Sequence, residues 1–103
     1  AGHCIANECE LAGVRFVFGY ALMEAGTVTT SFNAHQVYQG AELLGRTLRD
    51  GVDYAVVRLD RAVTLAGVQP LEIRREGKIA SDASLGVIGH PVGLPLKLSF
   101  GAN

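Results

Sequence analysis

An all-β fold, either a barrel or a sandwich, is what this sequence predicts. Three observations carry it: several short β-rich runs, glycine-rich turns between them, and no convincing amphipathic helix. Thirteen glycines and an apolar share of 49% in 103 residues fit one ordinary domain at most. Residues 13–23 alternate, with Val14, Phe16, Phe18 and Tyr20 on one face and Arg15, Val17, Gly19 and Ala21 on the other, the pattern of a half-buried strand. Glu24-Ala25-Gly26 supplies a turn, and the β-branched Thr27-Val28-Thr29-Thr30 reads as a strand running back, so the two form a predicted hairpin.

Residues 33–40 are polar and irregular. Residues 41–48 fit helix and strand periods partly. Strand is favoured, because Gly40 and Gly45 weaken a helix and Arg49-Asp50-Gly51 closes the segment as a turn. Tyr54-Ala55-Val56-Val57-Arg58-Leu59, bounded by Asp60-Arg61, is the clearest strand in the chain. Residues 70–84 turn polar and read as a connection. Beyond them Leu85-Gly86-Val87-Ile88-Gly89 predicts a short strand, residues 90–95 a turn, and Leu96-Lys97-Leu98-Ser99-Phe100 another strand.

Nine basic and ten acidic side chains give a net charge of -1, so no electrostatic argument favours nucleic acid, an acidic membrane surface or a polyanionic substrate. The apolar stretch from Val14 to Met23 is interrupted by Arg15 and is too short to cross a bilayer. No basic segment followed by an apolar run opens the sequence, so no secretion signal is read. Cys4 and Cys9 flank a polar, turn-like stretch and are a candidate small disulfide loop, which favours an oxidising compartment. Two unpaired thiols, or one thiol bonded to a cysteine elsewhere, are the alternatives. Zinc is not expected, because a second ligand pair is lacking and His35 and His90 are isolated.

Ala1-Gly2-His3-Cys4 resembles the histidine motif of trypsin-like (chymotrypsin-fold) serine proteases, and Asp53-Tyr54-Ala55-Val56-Val57-Arg58-Leu59 resembles that family's aspartate motif at the head of a buried strand. Their order and the 50 positions between them also suit the family. Arg15-Phe16-Val17-Phe18-Gly19-Tyr20 and Gly89-His90-Pro91-Val92-Gly93-Leu94-Pro95-Leu96-Lys97 look like its bacterial branch related to glutamyl endopeptidases. The resemblance implies an incomplete chymotrypsin-like double β-barrel. Residues 1–69 would belong to the N-terminal barrel, 70–84 to the inter-barrel connection and 85–103 to the first strands of the C-terminal barrel. It further implies a secreted or periplasmic enzyme that takes a peptide or protein substrate and needs no cofactor and no metal. In the family's usual disulfide, the cysteine after the histidine joins one upstream.

The family's chemistry assigns His3 the role of general base and Asp53 that of its orienter. A serine hydroxyl attacks only once an imidazole accepts its proton, and a carboxylate must fix that imidazole's tautomer. The nucleophile is missing, since Ser31, Ser81, Ser84 and Ser99 all lack the flanking glycines of the family's serine loop. The expectation is an interior fragment of a serine endopeptidase, inactive alone. The competing expectation is a non-catalytic β domain, either a protease relative or a small secreted binding module.

Overall fold

The structure, a computed structural model, describes residues 2–22 and 26–102. It is mostly β, in two antiparallel sheets with little helix, and no barrel is closed among the described residues. The all-β expectation therefore holds at that level. The chain divides into two units, one made of residues up to Phe18 with Phe32–Ala66, the other of Gly19–Ser31 with the residues from Gly67 onward.

The first unit begins with a short helix that the sequence reading did not foresee, α1 (Glu8–Gly13). Asn7 caps it. The Asn7 side chain accepts the Glu10 N–H at 3.0 Å, while the Glu10 carboxylate reaches back past the cap to the Ala6 N–H at 2.7 Å, and the two bonds fix the first turn. Strand β1 (Arg15–Val17) follows, and then β2 (Val37–Arg49) and β3 (Val52–Leu59), in the sheet order β1-β2-β3. Asp50 and Gly51, with φ of 52° and 77°, turn β2 into β3. Two left-handed residues between the paired Arg49 and Val52 make the tight hairpin that matches strand twist, and glycine takes the second position without strain.

The strand predicted over residues 13–23 is much shorter than expected. Its ladder ends at Val17, opposite Val37, and Phe18 then turns to Gln36, donating its N–H to the Gln36 carbonyl at 3.0 Å and accepting from the Gln36 side chain at 3.2 Å. Gly19 follows at φ 91°, out of the extended region. The alternation was real all the same. Val14, Phe16 and Phe18 are half-buried between the exposed Arg15, Val17 and Gly19. Conversely, the segment read as irregular holds a 3-10 turn (Ala34–Gln36) and the start of β2.

Ile5, Leu11 and Tyr38 form the buried apolar core. Leu11 lies directly under Gly40, where any Cβ would overlap its side chain, so α1 docks on β2 through the gap that a glycine leaves. Beside a bulge in β2, the Leu43 N–H is taken by the Glu8 carboxylate at 2.8 Å, which fastens the helix to the strand. Tyr38 packs edge-on against Phe18 at 5.3 Å, and the Arg61 guanidinium lies over its ring at 4.0 Å.

The second unit holds the hairpin β4 (Leu85–Gly89) and β5 (Lys97–Ala102), close to the two strands expected there. Pro91–Gly93 forms a 3-10 turn between them, and residues 70–80 carry no strand or helix. Among the described residues the predicted hairpin of residues 13–23 with 27–30 shows one bridge, Leu22 with Val28; Met23, Glu24 and Ala25 lie outside the described residues. His90 stacks on Tyr20 at 5.6 Å and its Nδ1 lies 3.0 Å from the Leu94 carbonyl, so the turn is held by an aromatic pair. No helix among the described residues is long and apolar enough to cross a membrane.

Candidate active site

The β2–β3 hairpin places Asp53 one residue into β3, opposite Leu48. Against this end of the sheet lies the segment carrying His3. Gly2, just before it, is buried, and a Cβ there would overlap the Thr47 and Tyr54 carbonyl oxygens and press on Asp53 Oδ1. The backbone comes this close only because residue 2 has no side chain. Ile5, just beyond, is 5% exposed. His3 thus projects from a segment pinned on both sides by buried residues.

Two contacts join His3 to Asp53. The ring Nδ1 lies 2.5 Å from Asp53 Oδ2, and the His3 backbone N–H donates to Asp53 Oδ1 at 3.2 Å. The Asp53 carboxyl is held down at about 2, from an ordinary 3.8, chiefly by the hydrogen bond from the His3 side chain, with the backbone N–H adding and partial desolvation opposing. Asp53 is thus an anion over the ordinary pH range, and an ionised carboxylate only accepts. The proton in the contact therefore sits on Nδ1. In the neutral ring this leaves the Nε2 lone pair free, and Nε2 has no hydrogen-bond partner among the described residues of its unit. The His3 side chain is 62% exposed.

Arg46, on β2, donates from Nε to the Gly2 carbonyl at 2.7 Å. Sequence reading missed this residue, for its role depends on the chain folding back over 44 positions, which no local pattern records. Arg61 was missed as well. Read from the sequence as a boundary of the 54–59 strand, it donates to the carbonyls of Ala34, His35 and Val37, besides covering Tyr38. Asp60, the other boundary residue, accepts the Gln39 N–H at 3.2 Å and pairs with Arg61. Arg58 pairs with Glu42 across the strands at 2.7 Å, on the exposed side.

The candidate Cys4–Cys9 disulfide is not formed. Both cysteines are free and exposed. The stretch between them is no slack loop: Ile5 is buried, and Asn7 caps the helix whose second residue is Cys9, so each thiol is carried by a separately anchored piece of backbone. No group of three His, Cys, Asp or Glu side chains among the described residues could hold a metal ion. The four serines, Ser31, Ser81, Ser84 and Ser99, all belong to the second unit.

Comparison with protein-family models, with curated proteins and with solved structures found no match.

Proposed function

We propose that His3 and Asp53 are the general base and its orienter in a trypsin-like serine endopeptidase, and that these residues fold as part of a chymotrypsin-like double barrel whose serine nucleophile lies outside residues 1–103. One observation carries this reading: an ionised aspartate holds Nδ1 of a histidine whose side chain is largely exposed. In the reaction, Nε2 takes the proton of the serine hydroxyl as its oxygen attacks the scissile carbonyl. Asp53 stabilises the imidazolium so formed, and the same proton then passes to the leaving amine. The substrate is a peptide or protein, and the compartment is secreted or periplasmic.

A second reading, a non-catalytic β module, is favoured by one observation: none of the four serines carries the flanking glycines that would build an oxyanion-stabilising loop. Treating the whole protein with a serine-reactive fluorophosphonate separates the two. The enzyme reading expects one labelled serine, with labelling and casein hydrolysis both abolished by His3→Ala. Absence of labelling, or labelling indifferent to His3, overturns it and leaves the binding module.

A further inference from the structure

The His3–Asp53 pair is only as well aimed as the segment that carries the ring. Two of that segment's ties run through Asp53 itself, to the His3 ring and to the His3 N–H. A third comes from elsewhere, the Arg46 Nε–H donated to the Gly2 carbonyl at 2.7 Å. Arg46 faces Ala55 across the β2–β3 ladder, one step from the Leu48–Asp53 pair along the same face of the hairpin. The residue holding Gly2 and the residue holding His3 therefore rise from adjoining positions on one sheet face. The Thr47 and Tyr54 carbonyl oxygens crowd Gly2 on the side where a Cβ would stand, and the Arg46 bond holds its carbonyl. Arg46 makes no ion pair among the described residues, and its donation to Gly2 is the hydrogen bond its side chain makes. A guanidinium suits the task, because its Nε–H is fixed in the plane of a rigid fork, whereas an ammonium would turn freely.

We infer that Arg46 is a positioning residue for the base: by clamping the Gly2 carbonyl it sets the backbone from which His3 reaches Asp53, and with it the ring tautomer that exposes a bare Nε2. This rests on the base role proposed for His3, but its first readout does not. In the whole protein with 15N-labelled histidine, the ring nitrogen shifts of His3 report where the proton sits. The wild type is expected to show a protonated Nδ1 and a bare Nε2 in the neutral ring. Arg46→Met, which keeps the stem and removes the donor, is expected to show a mixture of tautomers with unchanged cooperativity of unfolding.

Where peptide hydrolysis is measurable, Arg46→Met should lower kcat by about tenfold or more with KM little changed, as expected when a reacting group is misplaced by a fraction of an ångström. Arg46→Lys, which keeps a donor, should recover part of the loss. An undisturbed Nδ1–H tautomer in a folded Arg46→Met protein overturns the inference. So does an Arg46→Lys variant as impaired as Arg46→Met. If Arg46→Met does not fold, Arg46→Thr, which suits a strand and whose hydroxyl is too short to reach Gly2, takes its place with the same two outcomes. Mixed tautomers in a protein without hydrolytic activity would uphold the clamp and count against the protease reading alone.

Discussion

Asp53 holds His3 by two different atoms of that residue at once, the ring Nδ1 through Oδ2 at 2.5 Å and the backbone N–H through Oδ1 at 3.2 Å. The carboxylate therefore sets both the position of the histidine backbone and the rotation of its ring. An amide at position 53 could still accept one of these bonds, but its NH₂ would favour the tautomer with the proton on Nε2. In the proposed enzyme, Asp53→Asn should lower kcat by about four orders of magnitude, the loss a triad suffers when the wrong tautomer is presented. Steady-state kinetics on the whole protein check this, and near-normal turnover would remove Asp53 from the role.

The same pair makes stability depend on acid. The Asp53 carboxyl titrates at about 2 in the folded chain against 3.8 ordinarily, so the folded state prefers the anion. Its contribution is fully present above the ordinary value, is eroded below it, and is gone once the pH has fallen through about 2. The difference in melting temperature between wild type and Asp53→Asn should shrink steadily as the pH falls from 3.8 toward about 2. Using Asp53→Asn as reference cancels the titration of the remaining carboxylates. A difference that grew between 3.8 and about 2 would contradict the pairing.

Gly2→Ala adds a single methyl group where Thr47, Tyr54 and Asp53 oxygens already stand. The segment must lift or the sheet must yield, at a cost of about 1–3 kcal/mol for an overpacked site. Because lifting carries His3 away from Asp53, the ring should also lose its fixed tautomer. Denaturant unfolding and histidine 15N shifts measured on one sample check both effects.

Arg61, two residues past the end of β3, joins that end to the start of β2 and the turn before it through three carbonyl oxygens, and it covers the buried Tyr38 ring. Arg61→Ala should destabilise the first unit by about 1–3 kcal/mol, from the lost hydrogen bonds to a charged group and the lost cation–π contact. Arg61→Lys should recover only part, since one ammonium cannot serve a fork of acceptors. Urea unfolding followed by tyrosine fluorescence reads the change.

What the sequence made legible was what is written locally. The run 54–59, the Asp50-Gly51 turn and the C-terminal hairpin all follow from period-two patterning and turn chemistry within a few residues. His3 and Asp53 were legible through short motifs at a fitting separation, and the structure brings them together. Helix α1 escaped because six residues are too few to show a 3.6-residue period. Its cap, Asn7 with Glu10, was the available signal and was read as part of a turn. The strand through Phe16 was drawn too long, since alternation records which side chains are half-buried and not where the partner strand stops pairing. Arg46 and Arg61 act on carbonyls 24 to 44 positions away, and no side-chain pattern encodes a backbone acceptor.

The two-residue turn at Asp50-Gly51 also bears on the order in which the site comes together. Asp53 lies three positions past Asp50, so its carboxylate is delivered by a hairpin closed through neighbouring residues, an event of microseconds in isolated hairpins. His3 must close a loop of 50 positions to reach it, and the entropy of that closure is recovered only after the hairpin exists to receive it. The acceptor is therefore expected to be built before the histidine arrives. A change that slows the β2–β3 hairpin should delay both, whereas a change at Gly2 or Arg46 should delay the histidine alone.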